Sequence, residues 1–321
     1  MTLLQSENPP IRELTSTDSR GPWPRVRYRG SLRQKAEPYL LVAPTVLLIL
    51  GLMVIPIGIV IGYSLMDNVV TNRSPQFVGL AHYIEILGQL TFWSAALNTL
   101  IFTLGSVVAH MVIGLLFALM LNSKTMARVP RAIFRAIYIL PWIFTAAVVA
   151  VVWRLLLDPS GVINYVLTTT GVLAEAIPWL ATPATALVTV TVINIWSGYP
   201  FFMISLLAGL QGISTDLYEA AKIDGAGVFR QFSSVTLPAL RPILYSMALL
   251  DVLWTTQQFT LIWATTGGGP QGLTEMLSTL TYKLAFNTYQ FSMASTSAVL
   301  VLVASLTVAV VYVRRHRKEV V

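Results

Sequence analysis

Six long apolar stretches constrain the fold of this chain more than any other feature of its sequence. A helix that crosses a bilayer needs about 20 mostly apolar residues. Six segments meet that length: Tyr39–Met66, Ser94–Leu121, Ala132–Leu157, Thr185–Gln211, Pro242–Thr265 and Ser292–Val313. Only 11% of the 321 residues are charged, against about a quarter in soluble domains. Because backbone groups in a bilayer must be bonded within their own segment, the sequence predicts an all-α integral membrane protein with six transmembrane helices.

Prolines indicate where these spans depart from a straight helix. Pro141 lies inside the third apolar segment. Since proline has no amide hydrogen to donate, we expect the third span to begin as an interfacial segment and to kink at Pro141. Pro56 and Pro200 predict bends in the first and fourth spans.

The distribution of basic residues orients the spans. If the N-terminus is cytoplasmic, all Lys and Arg except Arg73, Arg154 and Lys283 lie on the cytoplasmic side. Cytoplasmic loops of membrane proteins carry such an excess, so both termini are expected inside. The net charge of +7 then reflects topology and gives no support to nucleic-acid binding. We expect residues 1–36 to form a basic cytoplasmic tail that is disordered or interfacial. Residues 37–321 are expected to form the membrane domain.

Several kinds of chemistry lack the residues they need. The chain has no cysteine and only three scattered histidines, so no thiolate site or histidine pair with metal-ligand spacing is present in the sequence. It also has no G-x-x-x-x-G-K-[ST] loop to hold nucleotide phosphates. We therefore expect a protein that is not an enzyme and carries no cofactor of its own.

A polar segment, residues 215–238, separates the fourth span from the fifth and is expected on the cytoplasmic side. Asp216 followed by Glu219 predicts a capped helix start, and Gly225 interrupts the helix. A second short helix then carries an apolar face of Val228, Phe229, Phe232 and Val235, expected to face the bundle, and Pro238 is expected to end it. The pattern predicts a helix–turn–helix at the membrane surface. An ordinary amphipathic interfacial loop is the alternative.

The order of residues in this segment resembles the EAA loop of ABC-importer permeases. Glu219-Ala220-Ala221 is followed after three residues by Gly225, and after nine more by Val235-x-Leu237-Pro238, with Val in place of the usual Ile. Three further stretches are similar to the branch that contains maltose and glycerol-phosphate permeases: YLLVAPTVLLIL (39–50), ILPWIFTAAVVAVVWRLLLDPSGVIN (139–164) and TTGGGP (265–270).

The resemblance implies a mechanical role for the polar segment. In that family the EAA loop is a coupling helix that sits in a groove of a cytoplasmic ATPase, which holds ATP and Mg. The residues carried over to this role are Glu219, Ala220, Ala221, Lys222, Asp224 and Gly225. The resemblance also implies a homologous second permease, two ATPase subunits, an extracytoplasmic solute-binding protein and a place in the bacterial inner membrane.

Polar residues inside the fourth and fifth spans are the candidates for a substrate path, because polar groups are costly in a membrane. They are Asn194, Trp196, Tyr199, Asp251, Trp254, Thr255, Gln257 and Gln258. Asp251, Trp254, Thr255 and Gln258 are spaced to share one helix face. Aromatic rings with amides and carboxylates suit a carbohydrate. Helix–helix hydrogen bonds and core packing are the alternatives.

Two features bear on how the path is assigned. In related permeases Asp or Asn commonly follows the Phe that precedes the Gly-rich turn, whereas Thr260 follows Phe259 here. Asn98 and His110 in the second span are expected to be internal hydrogen-bonding groups.

These features favour the permease subunit of an ATP-driven carbohydrate importer. The main alternative is an ion-gradient-driven transporter or channel for a small polar solute, which would not need the polar segment. A membrane-embedded enzyme is a third class, for which no nucleophile–base pair is visible in the sequence.

Overall fold

A computed structural model describes residues 32–67, 69–70, 74–123 and 126–316. Most of the predicted basic tail lies outside the described residues, as do Arg73, Lys124, Arg317 and Lys318. The chain divides into two units, Met1–Ile55 and Pro56–Val321. The described part of the first unit is helix α1, Leu32–Ile49, followed by a π-helical turn, Leu50–Val54.

The second unit is helical apart from one small sheet among its described residues. Strands β1 (Met66–Asp67) and β2 (Gln76–Phe77) pair antiparallel, with Met66 opposite Phe77. The helices before the polar segment are α2 (Ile55–Ser64), α3 (Ala81–Leu87), α4 (Leu90–Asn122), α5 (Arg128–Ile143), α6 (Ala146–Leu156), α7 (Val162–Thr169) and α8 (Ala186–Gln211). Those that follow are α9 (Thr215–Ile223), α10 (Val228–Gln231), α11 (Leu237–Thr256), α12 (Thr260–Thr265), α13 (Leu277–Phe286) and α14 (Phe291–His316).

Five helical segments of the described chain are long and apolar enough to cross a membrane: Leu41–Ser64, Leu90–Asn122, Ala186–Gln211, Val228–Thr256 and Phe291–Arg315. The bent pair α5 and α6 is a sixth if it is counted as one span. The long outward-facing side chains of α4, such as Leu97, Leu104 and Val108, are exposed on the isolated chain. A large exposed apolar surface of this kind suits contact with lipid, and the protein is a multi-pass membrane protein.

The expected kink at Pro141 is wrong in its position. Pro141 lies within α5, and the helix axis turns by 99° only after Ile143. Phe144 and Thr145 have extended backbones there, and the Thr145 hydroxyl accepts a hydrogen bond from the Val148 amide at 3.4 Å. The break is therefore made by two extended residues and a new N-cap, which stabilises the start of α6.

The fifth span is also shorter than the sequence suggested. Helix α11 ends at Thr256, and α12 starts at Thr260, so the predicted segment to Thr265 is broken. At the break, the Gln257 and Gln258 amides donate to carbonyls three residues back, and Ser278 Oγ donates to the Gln258 carbonyl at 2.9 Å. These alternative bonds satisfy the backbone groups that a broken helix leaves free.

The main core lies where α4, α8 and α11 meet. Its buried residues are Ala118, Leu121, Phe202, Met203, Leu206, Leu207, Leu210, Leu240, Leu244 and Met247. A second cluster joins α4, α6, α8 and α12 through Phe102, Val149, Ala150, Leu157, Val190, Ile193, Leu261, Ile262 and Met276. Helix α8 contributes to both, so its position is fixed by packing along most of its length. Pro200 lies inside this uninterrupted helix.

Candidate functional site

Two regions of the described chain concentrate the predicted functional residues. The first, called the surface segment here, comprises residues 214–236. Helix α9 begins after Ser214, whose hydroxyl accepts a hydrogen bond from the Asp216 amide at 3.2 Å. The expectation that Asp216 is the N-cap is wrong: the helix already begins at Thr215, and Ser214 is the capping residue. Asp216 lies in the first turn, where a negative charge still interacts favourably with the helix dipole.

Gly225 ends α9 by a Schellman motif. Its φ is +77°, in the left-handed region that disfavours residues with a side chain. The Gly225 amide donates to the Lys222 carbonyl at 3.0 Å, and the Ala226 amide donates to the Ala221 carbonyl at 2.8 Å. A Cβ at position 225 would meet nothing within 4 Å. The requirement for glycine is therefore set by the backbone angle and not by lack of space.

The second half of the surface segment runs directly into a span. Helix α10 continues through a π-helical turn, Phe232–Thr236, into α11 without a break. The expectation that Pro238 ends this helix is wrong: it stands at the first turn of α11, where a missing amide hydrogen costs little. The Tyr218 and Thr236 hydroxyls lie 2.9 Å apart, which fastens α9 to the π-helical turn.

The predicted ATPase-coupling residues lie together at the surface. Glu219, Ala220, Lys222, Asp224 and Gly225 are exposed, and Ala221 is half-buried.

Beside them, Ile223, Val228 and Phe229 are 87%, 86% and 83% exposed. The expectation that Val228 and Phe229 face the bundle is therefore wrong, whereas Phe232 and Val235 are half-buried. Helix α10 begins at Val228, so Val228 and Phe229 lie in its first turn, where the surface segment is exposed.

The second region, the polar cluster, comprises His110, Asn194, Asp251, Thr255 and Gln258. His110 Nδ1 lies 2.7 Å from Asp251 Oδ2, and His110 Nε2 lies 3.1 Å from the Asn194 carbonyl oxygen. The Thr255 hydroxyl donates to Asp251 Oδ1 at 3.0 Å. His110 and Asp251 are 2% and 7% exposed. The prediction that His110 is an internal hydrogen-bonding group is confirmed.

Asn194 is incompletely bonded. Its Nδ2 is buried and has no hydrogen-bond partner, and its Oδ1 is 3.5 Å from Gln258 Nε2. A buried polar group without a partner is costly. Within the described part of the chain, the side-chain amide of Asn194 is thus a buried donor that is left without an acceptor.

The remaining predicted path residues do not join the polar cluster. Trp196 packs edge-on against Trp153 at 5.5 Å, and Tyr199 is buried beside Phe117 at 5.2 Å. Trp254 is exposed and lies 5.5 Å from Phe201. Gln257 is exposed at the end of α11. Because α11 stops at Thr256, the expected single helix face from Asp251 to Gln258 is wrong, and Gln258 reaches Asn194 from the break.

Two residues that shape this region were not identified from the sequence. Gly198 lies against the His110 ring, and a Cβ there would come 2.3 Å from Nε2. Ser278 holds the break between α11 and α12 through its bond to the Gln258 carbonyl. A lone glycine inside an apolar span was the only available signal for the first. Asn98, expected to be internal, donates to the carbonyls of Gly272 and Glu275.

Comparison with known families identifies the chain. The family model for the binding-protein-dependent transport system inner membrane component matches residues 110–318. The chain belongs to this family. The matched range contains both the surface segment and the polar cluster.

Named members of this transport family cover nearly the whole chain. The trehalose/maltose transport system permease protein MalF of Thermococcus litoralis is 35% identical over 290 residues, which cover 89% of this chain and 96% of the relative. The diacetylchitobiose uptake system permease protein DasB of Streptomyces coelicolor is 32% identical and covers 98% of both chains. The lactose transport system permease protein LacF of Rhizobium radiobacter is 31% identical, covering 90% of this chain and 98% of the relative.

A solved structure supports the same fold. The chain is similar to one in the crystal structure of a bacterial alginate ABC transporter in complex with an alginate pentasaccharide-bound periplasmic protein. The TM-score is 0.79 at 22% sequence identity, covering 89% of this chain and 96% of the other. The helical arrangement described above is therefore the fold of an ABC transporter permease.

Proposed function

We propose that this chain is the transmembrane permease subunit of an ATP-driven carbohydrate importer in the bacterial inner membrane. Family membership supports a binding-protein-dependent transport component, and the relatives named above handle trehalose or maltose, diacetylchitobiose and lactose. The protein forms half of a translocation path and performs no catalysis itself. ATP and Mg are bound by a separate ATPase chain.

The observation that carries the coupling role is the exposed apolar patch beside the EAA-type helix. Ile223, Val228 and Phe229 are uncovered on the isolated chain, and Glu219 and Lys222 flank them on an exposed helix. An apolar centre with a charged rim is the anatomy of a protein–protein interface. The occupant we propose is the groove of a cytoplasmic ATPase subunit, which places the surface segment in the cytoplasm.

The topology follows from that placement. With α5 and α6 counted as one bent span, the chain has six spans with both termini inside, and the surface segment lies between the fourth and fifth. The complex contains a homologous second permease, two ATPase subunits and an extracytoplasmic solute-binding protein that docks on the outer loops and selects the sugar.

The polar cluster and its aromatic neighbours are the proposed substrate path. The unpartnered Nδ2 of Asn194 is suited to donate to a sugar hydroxyl, and Gln258 lies beside it. Trp254 exposes its ring next to Phe201 and offers an aromatic face to a pyranose. Trp196, Tyr199, Gln257, Thr255 and Asp251 complete the proposed path, the last two through contacts that hold its shape.

A charge reversal tests the coupling role. Glu219→Lys is expected to leave the permease inserted in the membrane. It should abolish uptake and weaken binding of the ATPase, because a base would face the groove in place of an acid. Arg128→Glu, a charge reversal on an exposed residue at the start of α5 and outside the surface segment, is the control. Normal ATP-driven uptake by the Glu219 variant would sink the coupling assignment. Uptake by this chain without ATPases would favour an ion-gradient transporter.

Side-chain truncations test the substrate path. The cognate binding protein is first screened by thermal shift against a carbohydrate panel, and the sugar that stabilises it is then used for uptake. Gln258→Ala and Trp254→Ala are expected to raise the KM for that sugar. Asp251→Ala is expected to lower the rate as well, because it leaves His110 unpaired. Wild-type kinetics in all three would remove α11 from the path.

A further inference from the structure

The His110 ring joins three helices in the middle of the membrane domain. It projects from α4, and it bonds the Asp251 carboxyl of α11 and the Asn194 carbonyl of α8 through its two nitrogens. It is almost fully buried. A single side chain therefore fixes the distances between α4, α8 and α11 at this level.

The hydrogen-bond partners determine how many protons this arrangement holds. The Asn194 carbonyl oxygen only accepts, so Nε2 carries a hydrogen. Nδ1 and Asp251 Oδ2, at 2.7 Å, need a second hydrogen between them, whether the pair is imidazolium with carboxylate or imidazole with carboxylic acid. The Thr255 hydroxyl donates to the other carboxyl oxygen. Without the shared proton, a nitrogen lone pair would face a carboxylate at hydrogen-bond distance, which is repulsive.

Gly198 leaves the space that the ring occupies. A Cβ at this position would lie 2.3 Å from Nε2 and 2.4 Å from Cε1, closer than real Cβ contacts come. The ring of Phe202 is 5.9 Å away on the same helix. From α8 the His110 ring thus meets no charged group, and from α11 it meets Asp251. Among the described residues, neither His110 nor Asp251 forms another ion pair.

We propose that His110 is a positioning residue of the transporter: through the hydrogen bonds of its two ring nitrogens it holds Asp251 and the Asn194 turn in place. The role concerns the path residues of the proposed function and acts on them through Asp251 and Asn194, without contact with the solute.

Two variants separate the two bonds of the ring. Asparagine places its amide near the position of Nδ1, and glutamine places its amide near Nε2. His110→Asn therefore keeps a donor for Asp251, whereas His110→Gln keeps a donor for the Asn194 carbonyl. The measurement is hydrogen–deuterium exchange of peptides 194–200 and 251–258 in the assembled transporter in nanodiscs, corrected for the intrinsic chemical rate.

We expect exchange of peptide 251–258 to be about tenfold faster in His110→Gln, because a hydrogen bond to a charged group is lost. In His110→Asn we expect faster exchange of peptide 194–200 instead, because the bond to the Asn194 carbonyl is lost, while peptide 251–258 stays near wild type. Wild-type protection of both peptides in both variants would overturn the proposal.

A glycine pair keeps the test decisive if the His110 variants fail to assemble. Gly198→Ala retains His110 and Asp251 but displaces the ring from both partners, so it should speed the exchange of both peptides. Gly105→Ala is the control, since its Cβ would meet Thr191 Cγ2 at an ordinary 3.5 Å. Equal, wild-type exchange in the two glycine variants would refute the positioning role. Exchange needs no substrate, so absence of sugar uptake would count against the proposed function alone.

Discussion

The surface segment and the polar cluster are both rich in polar groups, but they are ordered by different means. In the surface segment, hydrogen bonds from backbone amides define the ends of α9: Ser214 caps its start, and Gly225 ends it. In the polar cluster, side chains from separate helices bond one another inside a closely packed core. The first region is largely exposed on the isolated chain, whereas the second is largely buried. The same kind of substitution should therefore have opposite consequences in the two regions.

Phenylalanine truncation should give the largest contrast between the two regions. Phe202 is fully buried beside His110, so Phe202→Ala should destabilise the protein by about 3–5 kcal/mol through lost packing and a cavity. Phe229→Ala removes the same atoms from an exposed site and should leave the stability of the chain unchanged. Thermal unfolding of the purified permease checks both. Equal losses of stability would contradict the distinction.

A glycine pair should sharpen the contrast within the surface segment. Gly225→Val forces a β-branched residue to a φ of +77°, which costs about 1–2 kcal/mol and should uncouple ATP hydrolysis from uptake. Gly227→Val is the control, because Gly227 has an ordinary φ of −68° and open space around its Cβ. The ratio of sugar transported to ATP hydrolysed is the measurement. If both variants uncouple equally, the backbone angle is not the cause.

Removal of the N-cap should give the smallest effect. Ser214→Ala deletes the bond to the Asp216 amide, and loss of such a cap costs about 1 kcal/mol. The expected result is faster hydrogen exchange in the first turn of α9, with uptake largely retained. Ser234→Ala, an exposed serine in the π-helical turn, should leave that exchange unchanged. Unaltered exchange in the Ser214 variant would place the helix start elsewhere.

Local rules predicted much of the surface segment. Gly225 was expected to interrupt a short helix, and it does so because a left-handed residue there needs no Cβ. The apolar stretches likewise predicted the membrane helices, since composition over about 20 residues decides whether a segment can lie in lipid. Where local rules failed, a competing local bond was present: Ser214 replaced Asp216 as the cap, and Thr145 rather than Pro141 set the break in the third span.

The polar cluster could not be assembled from the sequence. His110 and Asp251 are 141 residues apart, and periodicity within one span says nothing about which helix it meets. The fit depends on Gly198, whose importance appears only when α4 lies against α8. The end of α11 at Thr256 was hidden for a similar reason, because Ser278 and Asn194 supply the bonds at the break.

The unbroken helix from the surface segment into the membrane has a mechanical consequence. Val228–Thr256 is 29 residues long, about 43 Å at 1.5 Å per residue, and it carries Phe229 near one end and Asp251 and Thr255 near the other. Such a rod behaves as a lever: a tilt of about 10° about one end moves the other by about 7 Å. In the coupling role that we propose, a displacement of the exposed patch would be carried along one continuous helix towards Asp251 and Thr255.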